Sequence, residues 1–160
     1  MAKIGSDMTT GSWRAVGRVV SERVDPADTD HWGGSACTIV LDDRFGDAAL
    51  VGLEDFSHVE VLFVFDQTTE RDDYTIPRLP RGRADLPPVG VFAERGPRRP
   101  NRIGATMCEL VSVEARRLTV RGLDAVDGTP VLDIKPVLTA FLPTQVREPE
   151  WIRTMMSEYW

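Results

Sequence analysis

Short apolar runs separated by turn residues constrain the fold of this chain more than any other feature. The runs are rich in β-branched residues and occupy 13–24, 36–41, 48–53, 59–65, 89–93, 103–113, 118–123 and 131–134. Short β-branched runs bounded by Gly, Pro and Asp are typical of strands. Because helices do not alternate with these runs, a parallel nucleotide-binding sheet is disfavoured. We predict a mainly all-β chain of seven or eight strands that forms a small closed or nearly closed barrel.

A helical pattern is found only near the C-terminus, in residues 148–160. Its apolar residues recur at helical spacing, at Trp151, Ile152, Met155, Met156 and Tyr159. This spacing predicts an amphipathic helix. We expect the helix to dock on its own domain, with a contact between subunits as the alternative. The length of 160 residues predicts a single domain, with its core at about 14–140 and a helical tail at about 147–160.

Composition argues against several classes of protein. No apolar stretch has the length needed to cross a bilayer, and residues 1–10 lack the apolar region of a signal peptide. Cys37 and Cys108 are isolated within apolar stretches, so we predict buried thiols in a reducing, cytoplasmic environment. The two cysteines and two histidines have no ligand spacing, and we therefore expect no metal site.

Residues 90–104, called here the arginine loop, concentrate positive charge on an acidic chain. The formal net charge is −6, to which residues 78–102 contribute +5 and the remainder −11. The loop contains four arginines and two prolines, which are Arg95, Pro97, Arg98, Arg99, Pro100 and Arg102. Guanidinium groups suit flat, bidentate recognition of carboxylates and phosphates. From charge alone, a solvated loop and an anion-binding site are equally good interpretations.

Four segments of the chain carry a family resemblance. They are 52–59 (GLEDFSHV), 62–68 (LFVFDQT), the arginine loop (GVFAERGPRRPNRIG) and 122–136 (GLDAVDGTPVLDIKP). In order and approximate spacing they resemble the TsaA-like family, whose characterised members are the TrmO tRNA methyltransferases. The resemblance covers about residues 14–140 and implies a small β-barrel that forms a homodimer and binds S-adenosylmethionine without a Rossmann fold. It also implies methylation of the N6 nitrogen of threonylcarbamoyladenosine, next to the anticodon of tRNA.

Candidate site residues follow from the resemblance together with the chemistry of the side chains. Arg95 matches the family's motif arginine and is the candidate clamp for the cofactor carboxylate, or else it holds the loop's geometry. The candidate cofactor-binding residues are His31, Trp32, Phe65, Asp66, Gln67, Arg95, Met107, Leu123, Asp124, Val126 and Asp127. The candidate RNA-binding residues are Arg98, Arg99, Asn101 and Arg102. No catalytic residue is assigned, because displacement at a sulfonium methyl chiefly needs alignment.

Several of these residues also have structural interpretations. Phe65 fits a core position, and Asp127 with the glycine after it fits a turn. Trp32 is either a stacking face for adenine or an aromatic that covers the mouth of the barrel. Asp133 and Lys135 share one face of a strand, which predicts a structural ion pair or a dimer contact.

Five positions differ from the motifs usual in the family. Glu94, Gly96 and Arg102 stand where threonine, serine and proline are usual, while Asp66 replaces a histidine and Val137 an aromatic residue. These differences bear more on the substrate than on the cofactor. Three functions therefore stay open: a tRNA methyltransferase, a methyltransferase of a small molecule or another nucleic acid, and a non-catalytic S-adenosylmethionine-binding module.

Overall fold

The computed structural model describes residues 12–69, 71 and 73–160. Within these residues the regular elements are β1 (Gly17–Val20), β2 (Ala36–Leu41), β3 (His58–Val64), β4 (Ile103–Glu114), β5 (Arg117–Arg121), β6 (Pro130–Pro136) and α1 (Glu150–Met155). The strands form a closed barrel in the order β1-β2-β5-β4-β3-β6, and every neighbouring pair is antiparallel. The prediction of a small, mainly β-stranded barrel is therefore confirmed.

Alternation along the strands places the apolar side chains inside the barrel. In β3, Val59, Val61 and Phe63 are fully buried, and the residues between them are half-buried. Successive residues of a strand point to opposite faces, so one apolar stripe per strand fills the interior. The two cysteines belong to this core, as predicted. Burial raises the pKa of the Cys37 thiol to about 11, so this side chain stays protonated near neutral pH.

Two of the predicted strands are wrong. Residues 48–53 contain a 3₁₀-helix, Asp47–Leu50, and a following turn, bounded by Gly46 and Gly52 at φ 64° and 86°. Among the described residues, the β-pairing of 89–93 is limited to one bridge between Val89 and Arg78, and Val91–Ala93 is another 3₁₀-helix. At residues 48–53 the positive φ of the bounding glycines turns the chain, which prevents the extended backbone that pairing needs. Six strands close the barrel instead of seven or eight.

The predicted limits of the terminal elements are also too wide. The first strand covers Gly17–Val20 rather than 13–24, and α1 has six residues rather than the whole of 148–160. The apolar face is nevertheless correct, because all five predicted residues, from Trp151 to Tyr159, are half-buried. The amides of His31 and Trp32 donate to the carbonyls of Glu158 and Tyr159, each at 2.8 Å. The C-terminal segment therefore docks on its own domain, as expected.

Three connections meet at one end of the barrel, which we call the loop end. They are 21–35, 65–102 and 122–129. Val64 pairs with Ile103, Ala36 with Arg121, and Gly17 with Val131. Since antiparallel neighbours reverse direction, β1, β3 and β5 end where β2, β4 and β6 begin. The arginine loop and residues 122–129 are thus brought to the same place by the topology.

Candidate functional site

Hydrogen bonds join the three connections at the loop end into one unit. The Gln67 side chain donates to the Asp127 carbonyl at 2.8 Å. The amide of Ser21 donates to the Asp127 carboxylate at 3.0 Å. The Gly122 amide donates to the Ser35 carbonyl at 3.0 Å. These bonds hold Gln67 and Asp127, two predicted cofactor residues, in contact across 60 positions of sequence.

A small pocket lies at the loop end beside the first residues of β4. Its volume is about 120 Å³. It is lined by Phe65, Arg95, Arg99, Ile103, Gly104, Ala105, Thr106 and Asp124. Three of these residues, Phe65, Arg95 and Asp124, are predicted cofactor-binding residues, and Arg99 is a predicted RNA-binding residue. The pocket combines the positive charge of two guanidinium groups with the negative charge of one carboxylate, so its lining complements a ligand that carries both signs.

Backbone carbonyls fix the arginines of the loop. Arg95 donates to the Ala105 carbonyl on β4. Arg99 donates to the Glu94 carbonyl at 3.1 Å, and Arg102 to the Thr68 carbonyl at 3.2 Å. Each guanidinium has five N–H donors, so the single carbonyl bonds of Arg95 and Arg99 leave donors for an anionic ligand. The loop therefore presents oriented cations at the rim of the pocket.

Behind the loop, a buried ion pair connects it to an earlier part of the same connection. The side chain of Arg71 is 4% exposed and lies 3.3 Å from the carboxylate of Glu94, whose side chain is 21% exposed. Arg71 also donates to the Ile76 carbonyl at 3.2 Å. Glu94 directly precedes Arg95, so this ion pair helps to fix the backbone position of Arg95. The acidic residue at this position has a structural partner that the sequence pattern did not reveal.

The Asp124 carboxylate of the pocket accepts hydrogen bonds from two side chains. The Thr106 hydroxyl donates to one of its oxygens and the Tyr159 hydroxyl to the other. Burial, followed by the charge of Asp124, raises the pKa of Tyr159 well above its ordinary value. The phenol therefore remains a hydrogen-bond donor at neutral pH. Two donors hold the carboxylate in one orientation beside the pocket.

The loop 21–35 places His31 and Trp32 beside the backbone of Glu158 and Tyr159, but neither residue lines the pocket. Trp32 is buried, and the guanidinium of Arg23 lies 3.7 Å from the centre of its ring. That cation covers one face of the indole, which makes the face unavailable to a base. His31 is exposed and has a φ of 61°.

The other predicted residues do not line the pocket. Leu123 and Val126 are buried residues of the loop 122–129, and Asp66 is exposed where the chain leaves β3. Met107 is 49% exposed on the outer face of β4, opposite Thr106 and Cys108. Arg98 and Asn101 are exposed on the arginine loop and do not line the pocket.

Sequence reasoning missed Thr106 and Tyr159. Alternation in β4 offers a signal for Thr106, a polar residue at an inward position between Gly104 and Cys108. No local pattern identifies Tyr159, because it meets Asp124 only through the docking of the C-terminal segment. Among the described residues, no group of three or more His, Cys, Asp or Glu side chains is arranged to hold a metal ion. The same residues include no helix of the length and apolar character that a membrane span needs.

The sequence of this chain is similar to those of several known proteins. The family model of the tRNA-methyltransferase O N-terminal domain matches residues 21–141. A tRNA (adenine(37)-N6)-methyltransferase of Rattus norvegicus is 41% identical over 102 residues, which are 64% of this chain and 23% of that protein. An S-adenosyl-L-methionine-binding protein of Archaeoglobus fulgidus is 41% identical over 97 residues, which are 61% of this chain and 66% of that protein.

A solved structure shares the architecture. The crystal structure of TrmO matches with a TM-score of 0.71 and 34% identity, over 88% of this chain and 64% of that chain. The chain thus spans less than a quarter of the mammalian relative's length and about two thirds of the other two proteins.

Proposed function

This chain belongs to the family of the tRNA-methyltransferase O N-terminal domain, and from that premise we propose that it is an S-adenosylmethionine-dependent methyltransferase. Its proposed substrate is tRNA, at the N6 nitrogen of the threonylcarbamoyl-modified adenosine next to the anticodon. The observation that carries the proposal is the pocket in which Arg95 and Asp124 meet. One end of S-adenosylmethionine is an amino acid with a carboxylate and an ammonium group, and this pocket offers one partner for each.

The size of the pocket fits that end of the cofactor. Sites that enclose drug-sized ligands measure roughly 300–1,000 Å³. At about 120 Å³ the pocket suits a group of amino-acid size, with Arg95 toward the carboxylate and Asp124 toward the ammonium. Phe65 adds an apolar wall beside these charges. The donors of Thr106 and Tyr159 leave lone pairs of Asp124 for a ligand, because a carboxylate has about four acceptor sites.

Methyl transfer demands alignment more than acid–base chemistry. S-adenosylmethionine, when bound, supplies a methyl carbon that is already activated by the sulfonium. The task of this chain is therefore to hold the cofactor and the acceptor nitrogen in line, and good orientation alone is worth about 7–11 kcal/mol of a barrier. A rigid barrel end with hydrogen-bonded loops is suited to that task. The acceptor nitrogen can lose its proton late, so no strong general base is required.

The positive charge of residues 78–102 supports the choice of RNA as partner. Residues 78–102 contribute +5 to a chain whose net charge is −6. Arg98 is exposed beside the pocket arginines, where its cation is available to a phosphate. Phosphate contacts of this kind position nucleic acid without reading sequence. We further propose that the chain acts as a homodimer in the cytoplasm, the compartment that holds the proposed substrate.

Methyl incorporation tests the proposed function. The chain is incubated with S-adenosylmethionine labelled in its methyl group and with tRNA that carries threonylcarbamoyladenosine. We expect label in the tRNA and none in tRNA that lacks the modification. Cofactor binding without incorporation would overturn the tRNA substrate, and turnover without any tRNA would favour a small acceptor. Failure to bind the cofactor in a calorimetric titration would overturn the methyltransferase assignment as a whole.

Arg95→Ala is expected to weaken S-adenosylmethionine binding by about 1.5–3 kcal/mol, because a charge-assisted hydrogen bond is lost. This corresponds to about a 10- to 150-fold higher Kd. Isothermal titration calorimetry provides the measurement. Arg98→Ala is the matched control, since Arg98 lies on the same loop but does not line the pocket. Equal Kd values for the two variants would return Arg95 to a purely structural role.

A further inference from the structure

The C-terminal segment is bound to the loop end through its backbone. The carbonyls of Glu158 and Tyr159 accept from the amides of His31 and Trp32, as described above. Trp160 lies so close to Gly33 that a Cβ there would be 2.7 Å from its carbonyl carbon. Residues 138–150 are exposed throughout, whereas Tyr159 is half-buried. The chain therefore crosses the surface and packs against the domain again from Trp151 onward, with backbone hydrogen bonds at Glu158 and Tyr159.

The docked tyrosine reaches the pocket carboxylate. The Tyr159 hydroxyl donates to Asp124, which lines the pocket. The guanidinium of Arg81 lies 5.8 Å from the centre of the Tyr159 ring and is itself held by Asp30 at 2.9 Å. The Tyr159 ring also packs edge-on against Trp160, with centroids 5.0 Å apart. These contacts hold the phenol in one position. Its hydrogen bond in turn holds the Asp124 carboxylate in one orientation.

From these contacts we propose that Tyr159 is a positioning residue of the cofactor pocket, which holds Asp124 in the orientation that receives the ligand's ammonium group. The inference rests on the proposed function, because it assigns a further residue to the same site. Thr106 restrains only one oxygen of Asp124. Without the second donor the carboxylate can rotate away from the pocket or turn toward water. Binding energy is then lost in reordering the side chain.

The test compares the only two tyrosines of the chain, Tyr159 and Tyr74. Tyr159→Phe keeps the ring and removes the hydroxyl. We expect its Kd for S-adenosylmethionine to rise about three- to tenfold, the range for loss of one hydrogen bond. Tyr74→Phe is the control, because its hydroxyl accepts only a long bond of 3.4 Å from the Arg71 amide. We expect this variant to bind the cofactor like the unmodified chain.

A double-mutant cycle separates positioning from a merely structural role. If Tyr159 acts through Asp124, then Tyr159→Phe changes the Kd less than twofold once Asp124→Asn is present. Additive losses would overturn the inference, as would a Tyr159→Phe variant whose stability falls while its Kd is unchanged. In both cases the proposed function stands, because the unmodified chain binds the cofactor. Absence of binding by the unmodified chain would instead overturn the proposed function and this inference together.

Discussion

Glu94→Ala is expected to lower the free energy of unfolding by about 3–5 kcal/mol, the range for removal of one partner from a buried ion pair. The variant leaves the guanidinium of Arg71 without its carboxylate, although that side chain is only 4% exposed. The Nε of Arg71 already has no hydrogen-bond partner among the described residues. Because Glu94 is itself 21% exposed, we expect a value near the lower end of the range. Urea denaturation followed by circular dichroism measures the change.

Two further variants make this result specific. Asp85→Ala breaks the exposed ion pair between Arg83 and Asp85. Their side chains are 39% and 62% exposed, so the free energy of unfolding should fall by only about 0–1 kcal/mol. The double variant Arg71→Met, Glu94→Leu removes both charges, and it should recover most of the stability lost in Glu94→Ala. If Glu94→Ala is as mild as Asp85→Ala, the pair is not buried in solution and the arginine loop is anchored by other contacts.

Gly104→Ala is expected to destabilise the barrel by about 1–3 kcal/mol or more, the usual cost of overpacking a core. Gly104 faces Phe63 in the register between β3 and β4. A Cβ at position 104 would lie under 3.0 Å from three ring carbons of Phe63. The ring is fully buried and packs edge-on against Phe65, with centroids 5.0 Å apart, so moving it disturbs the packing of the core. Thermal or urea unfolding provides the measurement.

A compensating substitution identifies the clash as the cause. Phe63→Leu removes the ring, so in its presence Gly104→Ala should cost clearly less than it does alone. Gly34→Ala is the control, because a Cβ there meets nothing within 4 Å and its φ is not in the left-handed region. That control should change stability by no more than about 0.5 kcal/mol. Equal costs of Gly104→Ala with and without Phe63→Leu would exclude the ring as the obstacle.

Local patterns predicted the barrel strands where side-chain alternation is supported by pairing on both sides. The run 36–41 coincides with β2, and 103–113 is one residue shorter than β4. The run 48–53 has similar composition but forms a 3₁₀-helix, because the glycines at its ends turn the backbone away from any partner strand. Composition alone does not distinguish these cases, since a strand exists only where another strand offers hydrogen bonds.

Motifs in the sequence also identified part of the candidate site. Phe65, Arg95, Arg99 and Asp124 were identified from motifs, and the structure places all four around one pocket. Met107 belongs to the predicted set but lies on the outer face of β4. Successive residues of a strand point to opposite faces of the barrel, so Met107 lies on the outer face although its neighbour Thr106 lines the pocket.

The sequence by itself determined the family and the β-barrel class, because these follow from long motifs and from alternation within single segments. Its motifs also singled out Arg95, Arg99 and Asp124, which line the pocket. Only the tertiary structure decided which groups restrain them. Arg71 meets Glu94 across 23 positions of one long connection, and Tyr159 of the C-terminal segment meets Asp124 across 35 positions. Such contacts depend on barrel closure and on docking of the C-terminal segment, which no local pattern encodes.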